Sequence, residues 1–157
     1  MDERIVDSLA RVPVFGALGR DEVARIAELA TPRRFAPGHV IFREGDASDT
    51  CYVVTSGRAR AIREHADGRT IALAHFGPGD FFGELAMFDA ERRSATVEAL
   101  EELDTVAISA GDMRRLLREW PDMSLKLIAA LGRRLREANE RLARQSFTEA
   151  QIPSQRA

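Results

Sequence analysis

The stretch that most restricts the fold is GPGDFFGELAMFDAERRSATV, residues 77–97. It follows an apolar run that ends at Phe76, opens with a glycine-rich turn and continues into a second short apolar run at residues 85–88. If residues 85–88 form one helical turn, the free backbone N–H groups at its N-terminus attract an anion. Gly83 has no side chain, so a ligand can approach the backbone closely there.

Four polar or small residues around this turn supply the groups that a nucleotide needs. Arg93 lies at the start of the next apolar run, where its guanidinium can hold a phosphate through two hydrogen bonds. Ser94 adds a hydroxyl, and Ala95 offers its backbone N–H beside a small side chain. An ionised Glu84 accepts hydrogen bonds and favours a hydroxyl partner such as a ribose 2′-OH. Together these residues predict a nucleotide monophosphate site.

The same residues also have a simpler interpretation. Residues 77–80, GPGD, can be only a hairpin turn. Glu84 and Arg93 can then be a surface ion pair, which stabilises a protein by at most about 1 kcal/mol. The joint spacing of Gly83, Glu84, Arg93 and Ser94 is more specific than either part alone and favours the binding site.

Residues 33–108 are predicted to be rich in β-strands. Short apolar or alternating runs recur, and turn signals such as Ser56-Gly57 separate them. Asp67-Gly68 between two such runs is a typical hairpin signal. Many short strands at this spacing predict an antiparallel sandwich, barrel or jelly roll.

Helices are predicted on both sides of the strands. Residues 1–32 contain two short helices, of which the second is expected to end at Thr31-Pro32, because the residue before a proline avoids the helical region. Residues 109–147 form the C-terminal helices, where Ser109 begins a sequence of the capping-box form and Trp120-Pro121 separates two helices. Residues 148–157 are predicted to be a polar tail.

The last helix carries an apolar stripe with the 3-4-3-4 spacing of a coiled-coil seam: Ile128, Leu131, Leu135, Ala138 and Leu142. This stripe predicts a homodimer through residues 121–146. A lone amphipathic helix would instead lay the same stripe on its own β domain, and the spacing does not distinguish the two.

Composition excludes several classes of function. The 157 residues include 23 basic and 25 acidic side chains, a net charge of −2, which argues against a dedicated nucleic-acid binder. Cys51 is the only cysteine, and the three histidines (His39, His65 and His75) are isolated, so we expect no disulfide, metal site or cofactor. No signal peptide and no apolar run of membrane length is present, so we expect a cytoplasmic protein.

FGELAM followed by RSATV resembles the phosphate-binding cassette of the cyclic-nucleotide-binding domain family. FAPGHVIFREGDASDTCYVVTSGRARA and DGRTIALAHFGPGDFFGELA are similar to the β-roll of that family, nearest to the catabolite-activator type of bacterial regulator. The resemblance covers roughly residues 10–147. It implies an α+β fold: an antiparallel, double-stranded, jelly-roll-like β-roll flanked by N-terminal helices and a long C-terminal helix, in one domain over residues 1–147.

The resemblance also implies roles for individual residues. Arg93 matches the arginine that pairs with the cyclic phosphate, Ser94 and Ala95 match its two neighbours on the phosphate, and Glu84 matches the glutamate that accepts the ribose 2′-OH. The other positions that it implies are Gly83 against the sugar, Leu85 and Ala86 at the helix start, Leu73 and Ala61 beside the base, and Arg134 near the cassette glutamate. Phe82 is included in the predicted site, although its simplest interpretation is a core residue.

Two departures from the family pattern limit what the resemblance implies. Ala138 and Asn139 fall where related proteins read adenine through hydroxyl residues, and only Asn139 can form a hydrogen bond through its side chain. No sequence typical of a helix-turn-helix follows residue 147, so we expect no direct DNA binding by this chain.

The sequence therefore predicts a non-enzymatic sensor without catalytic residues. Its ligand would be a cyclic mononucleotide, cAMP first and cGMP second, and it would signal by repositioning the C-terminal helix toward a downstream protein partner. The alternatives are the sensor fragment of a catabolite-activator-type transcription regulator and a degenerate interaction module without ligand.

Overall fold

The computed structural model describes residues 2–83 and 92–151. Three short helices come first: α1 (Glu3–Ala10), a 3₁₀ helix (Pro13–Ala17) and α2 (Arg20–Ala27). Eight strands follow: β1 (Thr31–Phe35), β2 (Val40–Phe42), β3 (Thr50–Ser56), β4 (Ala59–Glu64), β5 (Thr70–Phe76), β6 (Phe81–Phe82), β7 (Thr96–Ala99) and β8 (Leu103–Ser109). Two helices end the described chain: α3 (Ala110–Glu119) and α4 (Pro121–Gln151).

The strands form two four-stranded sheets whose pairings are all antiparallel within the described residues. The first sheet has the strand order β1-β8-β3-β6, and the second has the order β2-β7-β4-β5. Because alternate side chains of a strand point to opposite faces, β3 contributes to two separate cores. These strands and helices confirm the predicted β-roll with helices on both sides.

The helical core lies between the first sheet and the helices. Cys51 and Val53 of β3 face it and are fully buried, together with Leu9 of α1, Ile26 of α2 and Met113 of α3. The roll core lies between the two sheets. Its buried or partly buried members include Phe35, Phe42, Tyr52, Val54, Ala59, Ala61, Phe76, Phe82, Ala95, Val97, Ala99 and Ala107.

Local signals placed several elements correctly. Gly68 has a φ of +89° in the hairpin between β4 and β5, which confirms the Asp67-Gly68 turn. Ser109 caps α3, since its hydroxyl accepts a hydrogen bond from the Asp112 N–H at 3.4 Å. Trp120 ends α3, and α4 begins at Pro121.

Two predicted boundaries are wrong. α2 ends at Ala27, and Thr31-Pro32 begins β1 instead of ending the helix, so the β-roll starts before residue 33. Proline is tolerated there because β1 is an edge strand, where a missing N–H breaks no ladder bond on the free side. At the other end, α4 continues past residue 147 to Gln151, and the Thr148 hydroxyl donates to the Arg144 carbonyl within it.

The first half of α4 has two apolar faces. Met123, Leu127 and Ala130 are buried against the rest of the chain. The predicted stripe instead faces outward: Ile128 and Leu135 are each 63% exposed, and Leu142 is 60% exposed. The structure therefore does not lay these three residues on the chain's own β-roll, whereas Leu131 of the same stripe lines a groove beside β5. Within residues 2–83 and 92–151, no helix combines the length and apolarity that crossing a membrane requires.

Candidate functional site

The backbone of Arg93 is held by the turn between β2 and β3. Its N–H donates to the Asp46 carbonyl at 2.9 Å, and its carbonyl accepts from the Gly45 N–H at 2.9 Å. The Asp46 carboxylate in turn accepts the Arg43 N–H at 2.9 Å and closes this turn. Hydrogen bonds from a segment far away in the sequence thus fix the backbone of Arg93 just before β7.

The guanidinium of Arg93 lies inside the protein, with only 7% of the residue exposed. Nη2 donates to the Thr50 carbonyl at 2.5 Å, and Nη1 donates more weakly to the Gly83 carbonyl at 3.4 Å. The Phe42 ring covers the guanidinium, with Cζ 3.9 Å from the ring centroid. Nε is buried and has no hydrogen-bond partner among the described residues.

The electrostatics of this group are unusual for a buried cation. No carboxylate of residues 2–83 or 92–148 lies within ion-pair distance of the guanidinium. Burial lowers the pKa of Arg93 below its ordinary value, and the nearby Tyr52 and Asp49 partly oppose that effect. A desolvated charge without a counter-ion is costly, so an anion that reached Nε would be bound favourably.

Gly83 leaves space for the guanidinium of Arg93, which a residue with a side chain would occupy. Its φ is +74°, a conformation that residues with a side chain rarely adopt. A Cβ at this position would lie 2.7 Å from Nη1 of Arg93 and 3.1 Å from the Thr50 carbonyl oxygen. Any side chain would therefore displace the guanidinium.

Ser94 and Ala95 continue the site from Arg93 into β7. Ser94 is exposed, and its carbonyl accepts two hydrogen bonds from Arg63 of β4, from Nη2 at 2.7 Å and from Nε at 3.3 Å. Arg63 also lies 3.7 Å from the Glu44 carboxylate. Ala95 packs against the roll core. The structure thus brings Gly83, Arg93, Ser94 and Ala95 together, and their role in ligand binding stays a prediction.

The remaining predicted residues of the roll have different environments. Phe82 is 2% exposed and stacks on Tyr52 and Phe76, with centroids 5.2 Å and 5.0 Å apart. Ala61 is buried on the inner face of β4. Leu73 is 50% exposed and is the extra residue of a β-bulge, because Ala61 pairs with Ala74 and Ile62 with Ala72.

Arg134 and Asn139 are both exposed on α4. Arg134 lines a groove of about 420 Å³ whose other walls include Phe15 of the 3₁₀ helix, Phe76 of β5 and Asp80. Neither residue is among the hydrogen-bond partners of Arg93 in the described chain. The predicted residues Glu84, Leu85 and Ala86 lie outside the described residues.

Sequence reasoning missed three contributors to the site. Phe42 belongs to an apolar run, HVIF, that carries no signal beyond a strand. Thr50 contributes only its backbone carbonyl, which residue type cannot reveal. Arg63 is one of many arginines, and its role depends on a pairing between distant strands. Among the described residues, no cluster of three or more His, Cys, Asp or Glu side chains could hold a metal ion.

Comparison with known proteins identifies the family. The model of the cyclic nucleotide-binding domain matches residues 32–119, which include both sheets and Arg93. The chain belongs to the cyclic nucleotide-binding domain family. It is a regulatory domain related to the transcription regulators of the catabolite-activator type.

Two curated relatives and one solved structure illustrate the relationship. The chain is 33% identical over 141 residues to the CRP-like cAMP-activated global transcriptional regulator of Mycobacterium tuberculosis, covering 90% of this chain and 63% of that protein. It is 38% identical over 138 residues to the cyclic AMP receptor protein of Thermus thermophilus, covering 88% and 64%. The chain thus spans a little under two thirds of the length of these relatives.

The N-terminal domain of a transcriptional regulator from Streptomyces coelicolor has a similar structure. It superposes with a TM-score of 0.78 at 38% identity, and the match covers 87% of this chain and 95% of that one. This agreement confirms the β-roll fold implied by the sequence resemblance.

Proposed function

We propose that this chain is a sensor that binds a cyclic mononucleotide, cAMP first and cGMP second, with the cyclic phosphate at Arg93. The observation that carries the proposal is the state of that arginine. Its guanidinium is buried, has no carboxylate partner among the described residues and retains an unused Nε donor. A singly charged phosphate diester supplies the missing negative charge and acceptor oxygens.

The neighbouring groups support a phosphate at this position. Ser94 is exposed beside Arg93 and can donate its hydroxyl, and the Ala95 N–H lies next along the chain. Ala61 in β4 and Ala95 just before β7 carry small side chains in the roll core, which is compatible with a base close to them. The order of cAMP before cGMP rests on the names of the two relatives.

Calorimetric titration with cAMP and with cGMP tests the proposal, with Arg93→Met as the decisive variant. We expect Arg93→Met to weaken binding at least about 100-fold, because the partner charge would be left unpaired. Arg92→Met is the matched control, since Arg92 is exposed and donates to the Gly45 carbonyl at 2.9 Å. It should change the affinity by less than about threefold. Failure of the wild type to bind either nucleotide would refute the proposal.

We further propose that α4 transmits the signal within a homodimer formed through residues 121–146. The exposed stripe containing Ile128, Leu135 and Leu142 supports this assembly. Sedimentation equilibrium should find a dimer that Leu135→Lys dissociates, whereas Glu137→Lys, on the opposite side of the helix, leaves it intact. A wild type that is monomeric at tens of micromolar would contradict the dimer.

Movement of α4 can be measured with labels on two introduced cysteines. The substitutions are Glu140→Cys in α4 and Arg58→Cys, at an exposed position just before β4. Cys51 is fully buried and should not react. The proposal expects the distance between the labels to change when cyclic nucleotide saturates the protein. An unchanged distance would refute helix repositioning and leave nucleotide binding standing.

The second candidate is the sensor part of a longer transcription regulator. It is favoured by the coverage of the curated relatives, of which this chain spans a little under two thirds. Immunoblotting of the native protein distinguishes the candidates. A mass well above that of 157 residues supports the regulator, whose output would be DNA binding instead of an unknown protein partner.

A further inference from the structure

We propose that Phe42 is a positioning residue that holds the Arg93 guanidinium ready for the ligand's phosphate. The inference rests on the proposed function and adds a residue to it. Phe42 lies in β2, and Arg93 lies just before β7, the strand paired with β2. The contact therefore joins two segments that are far apart in sequence and adjacent in the second sheet.

The geometry is that of a strong cation–π contact. Cζ of Arg93 lies 3.9 Å from the Phe42 centroid, and the arginine is 93% buried. Such contacts stabilise most when the cation is desolvated. A second arginine, Arg33, lies over Phe35 at the longer distance of 5.6 Å and is itself exposed. The contact of Arg93 with Phe42 is thus tighter than that of Arg33 with Phe35.

The Phe42 ring is itself fixed by its neighbours. Its centroid lies 6.0 Å from that of Phe82 and 6.2 Å from that of Tyr52. Phe82 directly precedes Gly83, whose carbonyl accepts from Nη1 of Arg93. The ring and the Gly83 carbonyl therefore belong to one packed unit, and movement of the guanidinium would break its contacts with both.

The Phe42 ring holds the guanidinium without neutralising its charge, which can therefore still attract a phosphate. The donors of a guanidinium all lie in its plane, whereas the ring covers a face of that plane. Nε is buried and has no partner among the described residues, so its donor is still available for a phosphate that reaches it. A carboxylate in the place of Phe42 would also fix the arginine, but it would neutralise the charge and compete with the ligand.

Affinity measurements on a small set of variants test the role. Phe42→Leu should weaken cAMP and cGMP binding about tenfold, the effect of losing a desolvated cation–π contact. Phe42→Tyr retains a ring face and should recover most of the affinity. Phe35→Leu is the matched control, because Phe35 lies in the same core and contacts Tyr52, with no contact to Arg93 in the described chain. It should change the affinity by less than about twofold.

A coupling measurement separates positioning from general packing. In the Arg93→Met background, where residual binding is measured at millimolar nucleotide, Phe42→Leu should cause no further loss. An equal loss in both backgrounds would overturn the proposal, and so would wild-type affinity in Phe42→Leu or an equal loss in Phe35→Leu. If Phe42→Leu does not fold, Phe42→Met, which keeps a similar volume, takes its place. A wild type that binds no cyclic nucleotide refutes the proposed function itself, whereas the other contrary results refute only the role of Phe42.

Discussion

The first sheet has different surroundings on its two faces. The helical core on one face is lined by apolar side chains such as Leu9, Ile26 and Val53. The roll core on the other face combines an aromatic cluster with small alanines and has the buried guanidinium of Arg93 at its edge, over Phe42. An apolar core adds to stability, whereas a buried cation without a counter-ion lowers it. The first sheet therefore separates an apolar scaffold from the core that contains the proposed binding site.

Variants in the two cores test this division and should show the largest effects. Ile26→Ala removes a fully buried side chain from the helical core and should lower the free energy of unfolding by about 2–5 kcal/mol. The nucleotide affinity of the folded variant should stay within about twofold of the wild type. Arg93→Met should show the reverse, a large loss of affinity with a change in stability of about 1 kcal/mol or less. Denaturant unfolding and calorimetry give both numbers, and affinity loss in Ile26→Ala would contradict the division.

The next effect concerns the edge of the roll core. Gly83→Ala should reduce nucleotide affinity about tenfold or more, because the added Cβ would displace Nη1 of Arg93 and strain a backbone at positive φ. Gly77→Ala is the control, since Gly77 precedes the same turn and has open space around its Cβ position. Equal affinities of the two variants would show that the guanidinium need not stay where the structure places it.

The sequence alone predicts features that depend on neighbouring residues better than features that depend on contacts between distant segments. The Asp67-Gly68 hairpin and the Ser109 cap are local, and both were predicted correctly. Gly83 and Arg93 were predicted as site residues from their types and spacing, and the structure places them in contact. Phe42 was missed because its role depends on a cross-strand contact, and the boundary at Pro32 was wrong because the strand pairing of β1 overrode a local preference.

A smaller effect is expected from Arg63, which supports Ser94 from β4. Arg63→Met should weaken nucleotide binding about threefold, because the Ser94 carbonyl loses a charge-assisted donor and the site loses a nearby cation. Arg60→Met is the matched control on the same strand, where Arg60 pairs with Glu98 at 2.6 Å. Parallel titrations of the two variants check the prediction, and an identical affinity for both would remove Arg63 from the site.

The smallest effect lies on the helical side and depends on pH. The Lys126 ammonium donates to Glu22 at 2.7 Å and, together with the Gly19 N–H, lowers the pKa of that carboxyl below its ordinary value. A carboxyl whose pKa is lower in the folded state stabilises the fold above its unfolded pKa, and the contribution is lost as the pH falls through the folded pKa. Lys126→Met should therefore slightly reduce stability at pH 7 and have less effect below pH 4. Thermal unfolding of Lys126→Met and the wild type at pH 7 and below pH 4 measures the difference in stability. A difference that does not depend on pH would contradict the prediction.

The central claim is that the unused Nε of Arg93 receives the ligand's phosphate. Nitrogen–proton NMR spectra of the arginine side chains test it most directly, with the Arg93 Nε–H signal assigned by its absence in Arg93→Lys. This signal should shift strongly when cAMP or cGMP saturates the protein, because a new acceptor then faces Nε. A nucleotide that binds while the Arg93 signal stays unchanged would contradict the claim.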